Sequence, residues 1–168
     1  MIRLAVQIDI PDLVPLINSA YRGEASKKGW TTEANLISGD IRTDKNQMEE
    51  LMKTPGAVFL VYQNETGTLE GSVFLQKKEN KLYLGMLSVL PELQAKGIGK
   101  KLMKEAEAYA RQENCNSIYM RVISARHELI AWYEKLGYKN SGKTEPFENN
   151  KYGTANRPIE FIIMEKMI

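Results

Sequence analysis

The residues best placed to do chemistry lie in Gln94-Ala95-Lys96-Gly97-Ile98-Gly99-Lys100-Lys101. This stretch separates an apolar run, Leu82–Leu90, from a segment with helical periodicity, Ile98–Glu113. A glycine-rich turn between a strand and a helix leaves backbone N–H groups unpaired at the positive end of the helix dipole. Such a cluster binds phosphate. Lysines in a first helical turn face that same positive end and are locally unfavourable. Lys96, Lys100 and Lys101 crowd there regardless, and Lys104 follows one turn on. A polyanionic ligand removes the conflict. Two familiar phosphate loops do not fit. A P-loop needs glycine where Gln94 stands and Ser or Thr where Lys101 stands, and a dinucleotide fingerprint needs a third glycine at Leu102. On spacing alone, a plain turn with solvated lysines reads as well as a phosphate cradle.

The elements around this turn follow from periodicity and punctuation. Met1–Val6 reads as an edge strand. Asp9 and Pro11 open a helix to about Tyr21 with the stripe Leu13, Leu16, Ile17 and Ala20. Gly23–Gly29 reads as a polar loop, and Thr32 with Glu33 as the start of a short helix ending at Gly39. Thr43 or Asp44 caps a helix through Lys53. Ala57–Tyr62 and Leu69–Lys77 form a hairpin around Asn64-Glu65-Thr66-Gly67, and Glu79-Asn80 turns into Lys81–Leu90. Ser117–Ile123 alternates as a strand, Glu128–Leu136 is a short helix, and Tyr138–Gly142 and Ile159–Ile168 close the sheet. Hairpin strands followed by strand–helix units predict an α/β (α+β mixed) fold. Its sheet is mixed, antiparallel in the N-terminal part, with helices on both faces.

Bulk properties narrow the function classes. A chain of 168 residues fits a single domain spanning 1–168. Hydrophobic and charged fractions of 43% and 26% are ordinary for a globular protein, and a net charge of +2 is too small to imply nucleic-acid binding. No segment reaches the length of a membrane span, and Met1–Ile10 lacks the pattern of a signal peptide. The single cysteine, Cys115, excludes an internal disulfide and suits a reducing compartment, so a cytoplasmic location is expected. Cys115 reads as a buried or idle thiol. His127 is the only histidine, which argues against a metal site; no metal is expected.

Leu87-Ser88-Val89-Leu90-Pro91-Glu92-Leu93-Gln94-Ala95-Lys96-Gly97-Ile98-Gly99 resembles the acetyl-CoA motif of the GNAT N-acetyltransferase superfamily, Gln/Arg-x-x-Gly-x-Gly/Ala after a Leu-x-Val-x-Pro strand. Ala131-Trp132-Tyr133-Glu134-Lys135-Leu136-Gly137-Tyr138 resembles the same family's aromatic-Tyr-Glu-Lys-x-Gly-Phe/Tyr signature, in the expected order. The resemblance covers Tyr83 to about Gly142; residues 1–80 fit the order of elements without a motif. It implies a six- to seven-stranded, mostly antiparallel sheet splayed between two central strands. It further implies acetyl-CoA as co-substrate, with no acyl-enzyme.

Carried over by position, pantetheine lies against the backbone of Leu87, Ser88 and Val89 in a bulged, splayed strand. The pyrophosphate sits on the N–H groups of Gln94, Ala95, Lys96, Gly97, Ile98, Gly99 and Lys100, where the missing glycine Cβ atoms allow close approach. Gln94 or Lys96 can add a side-chain contact, and Lys100, Lys101 or Lys104 can reach the ribose phosphate. Tyr133 matches the tyrosine that protonates the departing thiolate; a phenol with a pKa near ~10 is protonated at neutral pH. Packing against Leu129 and Leu136 is the rival reading of Tyr133. The chain departs from the family where an Asn usually precedes the second helix: here stand Ser124-Ala125-Arg126-His127-Glu128.

The acceptor amine must be neutral to attack, so a base or water relay takes its proton. Tyr21, Arg22, Glu24, Trp30 and Glu33 are the acceptor-site candidates, because the segment between the first strand and the hairpin usually shapes that pocket in the family. Arg42 and Glu160 are further candidates, each of which reads first as a solvated or paired charge. The expected activity is acetyl transfer to a primary amine of a small molecule or of a peptide or protein, by a monomer or homodimer. A non-catalytic CoA or acyl-CoA sensor with the same fold is the alternative.

Overall fold

The computed structural model describes every residue from Met1 to Ile168. Its strands are β1 (Ile2–Leu4), β2 (Ile37–Ser38), β3 (Ala57–Gln63), β4 (Leu69–Lys78), β5 (Lys81–Val89), β6 (Ser117–Ile123), β7 (Lys139–Pro146), β8 (Thr154–Ala155) and β9 (Glu160–Met167). Its helices are α1 (Ile10–Tyr21), α2 (Gly23–Ser26), α3 (Lys45–Lys53), α4 (Ile98–Gln112) and α5 (His127–Lys135).

The central strands carry apolar residues on both faces, so both faces must be covered. In β3 and β4, Phe59, Val61 and Phe74 join Leu13, Ile17 and Met48 in a core under α1 and α3. The alternate residues Leu60, Val73 and Leu75 join Leu102, Met103, Ala106 and Tyr133 in a larger core under α4 and α5. The sheet between these layers has seven strands in the order β1-β3-β4-β5-β6-β9-β7. Every neighbouring pair is antiparallel except β5 and β6. The mixed, mostly antiparallel sheet with helices on both faces is thus the architecture expected from the sequence.

Two irregularities in β5 interrupt the regular sheet. Ser72 of β4 faces Ser88 and Phe74 faces Gly85, so β5 carries one residue more than its partner between these pairs. Met86 absorbs the extra residue in a bulge, with φ at +52°. On its other edge β5 pairs with β6 at Lys81–Ser117, Leu82–Ile118 and Tyr83–Tyr119, after which the two strands part.

Helix starts follow local chemistry with one difference. Asp44 caps α3 as expected, its carboxylate accepting from the Gln47 N–H at 2.8 Å. Asp9 precedes α1 without capping it: its carboxylate accepts from both Arg3 terminal nitrogens, at 2.8 and 2.9 Å, and from the Val6 N–H at 2.8 Å. This tie fastens the edge strand β1 to the start of α1.

Residues 32–39 form a turn and the two-residue strand β2, not the helix that Thr32 and Glu33 predict. Distant partners override the local signal. Glu33 is drawn into a buried ion pair with Arg22, and Ile37 and Ser38 pair with Ala155 and Thr154. The predicted loop Gly23–Gly29 begins with the single turn α2. The last turns of the chain were legible only in part, since β8 has no signal of its own.

Helix α4 approaches the sheet closely because Gly71 in β4 has no side chain. A Cβ there would lie 2.9 Å from Ile98 Cγ2, 3.0 Å from Leu102 Cδ1 and 3.1 Å from the Ser88 carbonyl oxygen. Gly71→Ala is therefore expected to lower the free energy of unfolding by about 1–3 kcal/mol through overpacking. Urea denaturation checks this; an unchanged midpoint would show that α4 can shift without cost.

Candidate active site

Beyond Tyr83 and Tyr119 the parting strands open a gap through the sheet, and side chains from both helical layers enter it. Two cavities result. The larger, about 560 Å³, is bounded by Tyr21 and Arg22 at the end of α1, by the middle of β5 and β6, and by Phe147 and Tyr152 after β7. The smaller, about 330 Å³, runs past Leu87 and Val89 to the glycine turn. Tyr21, Leu87, Arg126, Leu129 and Tyr133 line both, so molecules held in the two cavities meet at these side chains.

The smaller cavity ends on an anion cradle. Ala95 and Gly97 have φ of +64° and +92°. Alternating backbone of this kind gathers successive N–H groups into a concavity. The N–H groups of Ala95 through Lys100 donate to no backbone carbonyl; the helical ladder begins with Lys101 N–H on the Gly97 oxygen at 3.0 Å. The left-handed φ of Gly97 suits glycine, and a Cβ there would meet nothing within 4 Å, so the face above the turn is open.

Of the ten residues expected at the cofactor, Leu87, Val89, Gln94, Ala95, Gly97, Ile98, Gly99 and Lys100 line this cavity. Ser88 does not: it is buried, with its hydroxyl donating to the Met86 carbonyl at 2.9 Å. Lys96 is exposed beside the turn. Lys101 lies over the Tyr62 ring, 5.6 Å from its centroid, which leaves Lys100 as the lysine facing the cavity. The Gln94 amide is already engaged. Its Nε2 donates to the Val89 carbonyl and its Oε1 accepts from the Trp30 N–H, each at 3.1 Å. A side chain at Gly29 would overlap that amide. Gln94 thereby joins the loop after α2 to the end of β5.

Tyr133 sits where the cavities meet. It is buried, edge-on to Trp132 at 5.2 Å and to Tyr138 at 6.0 Å. Burial pushes its phenol well above the ordinary range, with Tyr21 adding to the effect and the Arg126 charge opposing it. The Tyr21 phenol is likewise pushed up to about 12, first by burial and then by Glu33, against Arg42 and Arg126. Both phenols are protonated throughout the neutral range.

A buried charge cluster walls the larger cavity. Arg22, Glu33 and Arg126 are only 4%, 7% and 6% exposed. Glu33 Oε1 accepts from Arg22 at 3.0 Å and Oε2 from Arg126 at 3.3 Å. Arg126 also donates to the Thr31 hydroxyl at 2.7 Å, and Arg22 to the carbonyls of Tyr152 and Ile41. The cluster links the end of α1, the loop before β2, the start of α5 and the segment before β8.

The acceptor-site expectations divide. Tyr21, Arg22 and Glu33 line the larger cavity. Trp30 lies instead on the smaller one, 6.3 Å from Trp132. Glu24 lines neither and pairs with Lys27 at the surface. His127 is exposed at the start of α5, and Cys115 is buried outside both cavities, its thiol pushed up by burial. Glu160, the other charged candidate, is exposed and lines neither cavity. Sequence reasoning passed over Gln47 and Tyr152, which lie in polar stretches without a motif. It met Arg126 only within Ser124-Ala125-Arg126-His127-Glu128, the stretch where the family usually has an Asn.

The family model described as the acetyltransferase (GNAT) family matches residues 18–138. The chain belongs to the GNAT acetyltransferase family. Among curated proteins it is 26% identical over 129 residues to the uncharacterized N-acetyltransferase YjgM of Escherichia coli (strain K12), covering 75% of this chain and 76% of that one. The ribosomal-protein-S18-alanine N-acetyltransferase of Escherichia coli shares the fold, with a TM-score of 0.74 and 16% identity over 100% of this chain and 93% of that one. So does yncA of Salmonella typhimurium, solved with its cofactor acetyl-CoA, with a TM-score of 0.70 and 20% identity over 99% and 92%. At these identities the likeness to solved structures speaks for the fold alone. In this GNAT acetyltransferase no cluster of three or more His, Cys, Asp or Glu side chains is arranged to hold a metal.

The charge cluster gives a stability prediction. Glu33→Ala leaves two buried guanidiniums with no countercharge. It is expected to cost about 3–5 kcal/mol, as removal of one partner from a buried ion pair does. The drop is read from equilibrium urea unfolding; a loss below about 1 kcal/mol would show that the cluster behaves like a surface pair.

Proposed function

We propose that the chain moves an acetyl group from acetyl-CoA to a primary amine by direct attack, with both substrates bound together. The observation that carries this reading is the meeting of the two cavities at Tyr133. One ends on six unpaired N–H groups suited to a diphosphate, and the other sets charged and polar side chains, Arg22, Glu33, Arg42, Gln47 and Arg126 among them, within a partly apolar lining suited to a polar amine. The pantetheine arm fits along Leu87–Val89, where β5 has left β6 and offers a strand edge. Acetyl-CoA in yncA of the same fold supports the identity of the ligand.

In this scheme the amine nitrogen bonds to the thioester carbonyl carbon and the carbon–sulfur bond breaks. Tyr133 supplies its phenolic proton to the departing thiolate and is reprotonated from solvent. The amine gives up its surplus proton through water. Glu33 is no base for it, since both its oxygens face guanidiniums. The other carboxylates on the wall are Glu145, 3.5 Å from Arg121, and Glu148. Cys115, buried away from both cavities, takes no acyl group. Holding the acetyl carbon against the nitrogen accounts for part of the rate by proximity, and a placed acid for a further factor of roughly 10²–10⁴.

Two outcomes test the scheme. Tyr133→Phe should lower kcat by about 10²-fold or more and leave the calorimetric affinity for acetyl-CoA nearly unchanged. Unchanged turnover would remove Tyr133 from the chemistry, and an absence of binding heat in the wild-type protein would remove acetyl-CoA from the reading. The pH profile is a separate check. A phenol whose pKa is raised keeps its proton below that raised value, so the acid is lost only above the ordinary phenol range. At saturating substrates kcat should therefore not fall between about pH 7 and 9.5; a descending limb in that window would contradict the assignment.

A further inference from the structure

Around the inner end of the larger cavity, cations outnumber anions. Arg22, Arg42 and Arg126 line it together with Glu33. Glu33 is shared between Arg22 and Arg126, and Arg42 is half-buried, so these four side chains carry two formal positive charges; with Arg121, Glu145 and Glu148 the whole lining carries one. Arg42 is the one without a carboxylate. Its backbone N–H is fixed on Asn18 Oδ1 at 2.7 Å, and its guanidinium lies 5.5 Å from the centre of the Tyr21 ring. Arg126 approaches the same ring at 6.0 Å. Of the two acids two positions away in sequence, Asp44 is occupied by the Gln47 N–H, the Tyr152 hydroxyl and Lys151, and Asp40 is exposed and lines neither cavity. Further out, Arg121 and Glu145 offset each other and Glu148 is exposed.

Positive charge withdrawn from water and left unbalanced is costly. A bound anion offsets that cost, and a guanidinium holds a carboxylate by two parallel hydrogen bonds. Two buried atoms of residues on the same wall, Gln47 Oε1 and Arg126 Nε, have no hydrogen-bond partner. Tyr21 links this wall to the reaction point, since its ring carries both guanidiniums and lines both cavities. An anion on Arg42 therefore lies only about one side chain away from where the amine must attack.

Resting on the acetyl-transfer reading above, we propose that the acceptor is a small amine carrying a carboxylate close to its amino group, a free amino acid, with Arg42 gripping the carboxylate. A polyamine or a simple alkylamine brings more positive charge to a cationic wall and is disfavoured. A peptide amine without a neighbouring carboxylate leaves Arg42 unpaired.

The test compares matched acceptors with the full-length protein and acetyl-CoA, following thiol release. Glycine, L-alanine, L-methionine and L-glutamate are each paired with the corresponding α-amide, and spermidine and propylamine serve as cationic and neutral controls. At least one acid should exceed its amide by about tenfold or more in kcat/KM, the scale of one charge-assisted contact. Arg42→Gln should pull that ratio toward one, chiefly through KM for the acid, and Arg42→Lys should restore part of it. A structural loss would lower acid and amide alike. Equal or better turnover of the amides or the controls overturns the inference while leaving acetyl transfer standing. Should no amine release thiol, the acetyl-transfer reading fails instead. The anion subsite is then decided by thermal shift of the CoA-saturated protein with the N-acetyl derivatives of the four acids and of their amides. Stabilisation by the acids alone supports the subsite, and equal or absent stabilisation overturns it.

Discussion

Strand β5 must stay bonded to β4 along its length and yet leave β6 after three residue pairs. Backbone groups freed in a protein interior are costly unless something satisfies them. The parting therefore persists only because the space it opens is held and used. The bulge at Met86 provides one means. It adds a residue to β5 alone, sends the Met86 side chain into the core under α1, and leaves Leu87 and Val89 facing the gap. Gln94 provides another, reaching back to take up the Val89 carbonyl at the far end. The smaller cavity runs along a strand edge whose neighbour has been withdrawn.

The buried cluster of Arg22, Glu33 and Arg126 fixes the walls of that opening. Its members come from three parts of the chain that share no local secondary structure. A cluster of this kind adds little to net stability relative to a well-packed apolar substitute, because desolvation offsets the attraction. It contributes direction: guanidinium forks accept few geometries. Once Glu33 lies between the two arginines, Thr31 meets Arg126 and Trp30 meets both Gln94 and Trp132. The loop that borders the larger cavity is thus bound to the residues that border the smaller one.

Legibility in the sequence followed the range of the forces. The strands and helices from Ala57 to Gly137 could be read almost to the residue, since alternation in Ser117–Ile123 and the stripe Ile98, Leu102, Ala106 and Ala110 are local patterns facing one core. The glycine turn was legible because its geometry is a property of the backbone, and backbone conformation follows glycine position. Residues 32–39 were misread because their conformation is set by partners such as Arg126 and Ala155, more than 90 residues away. Eight of the ten residues expected at the cofactor line the smaller cavity, whereas of the acceptor candidates only Tyr21, Arg22 and Glu33 reach the larger one. Side chains such as Arg42 and Tyr152 become neighbours only when the chain closes, and nothing in their local sequence records it.

Arg126 shows how such long-range dependence bears on function. The family resemblance implies an Asn in this stretch, a neutral group that can be buried by hydrogen bonding alone. An arginine in its place is a permanent charge that cannot titrate away. It is tolerable at 6% exposure only with a countercharge, and Glu33, 93 positions earlier, supplies it. Arg126 without Glu33 is an isolated buried ion, and Glu33 without Arg126 has one buried oxygen without its partner. Glu33 in turn needs Arg22 for its second oxygen, and Arg22 needs the Tyr152 carbonyl. The arginine at the border of the smaller cavity thus entails the charge, the loop path and the closing segment of the larger cavity on its other side.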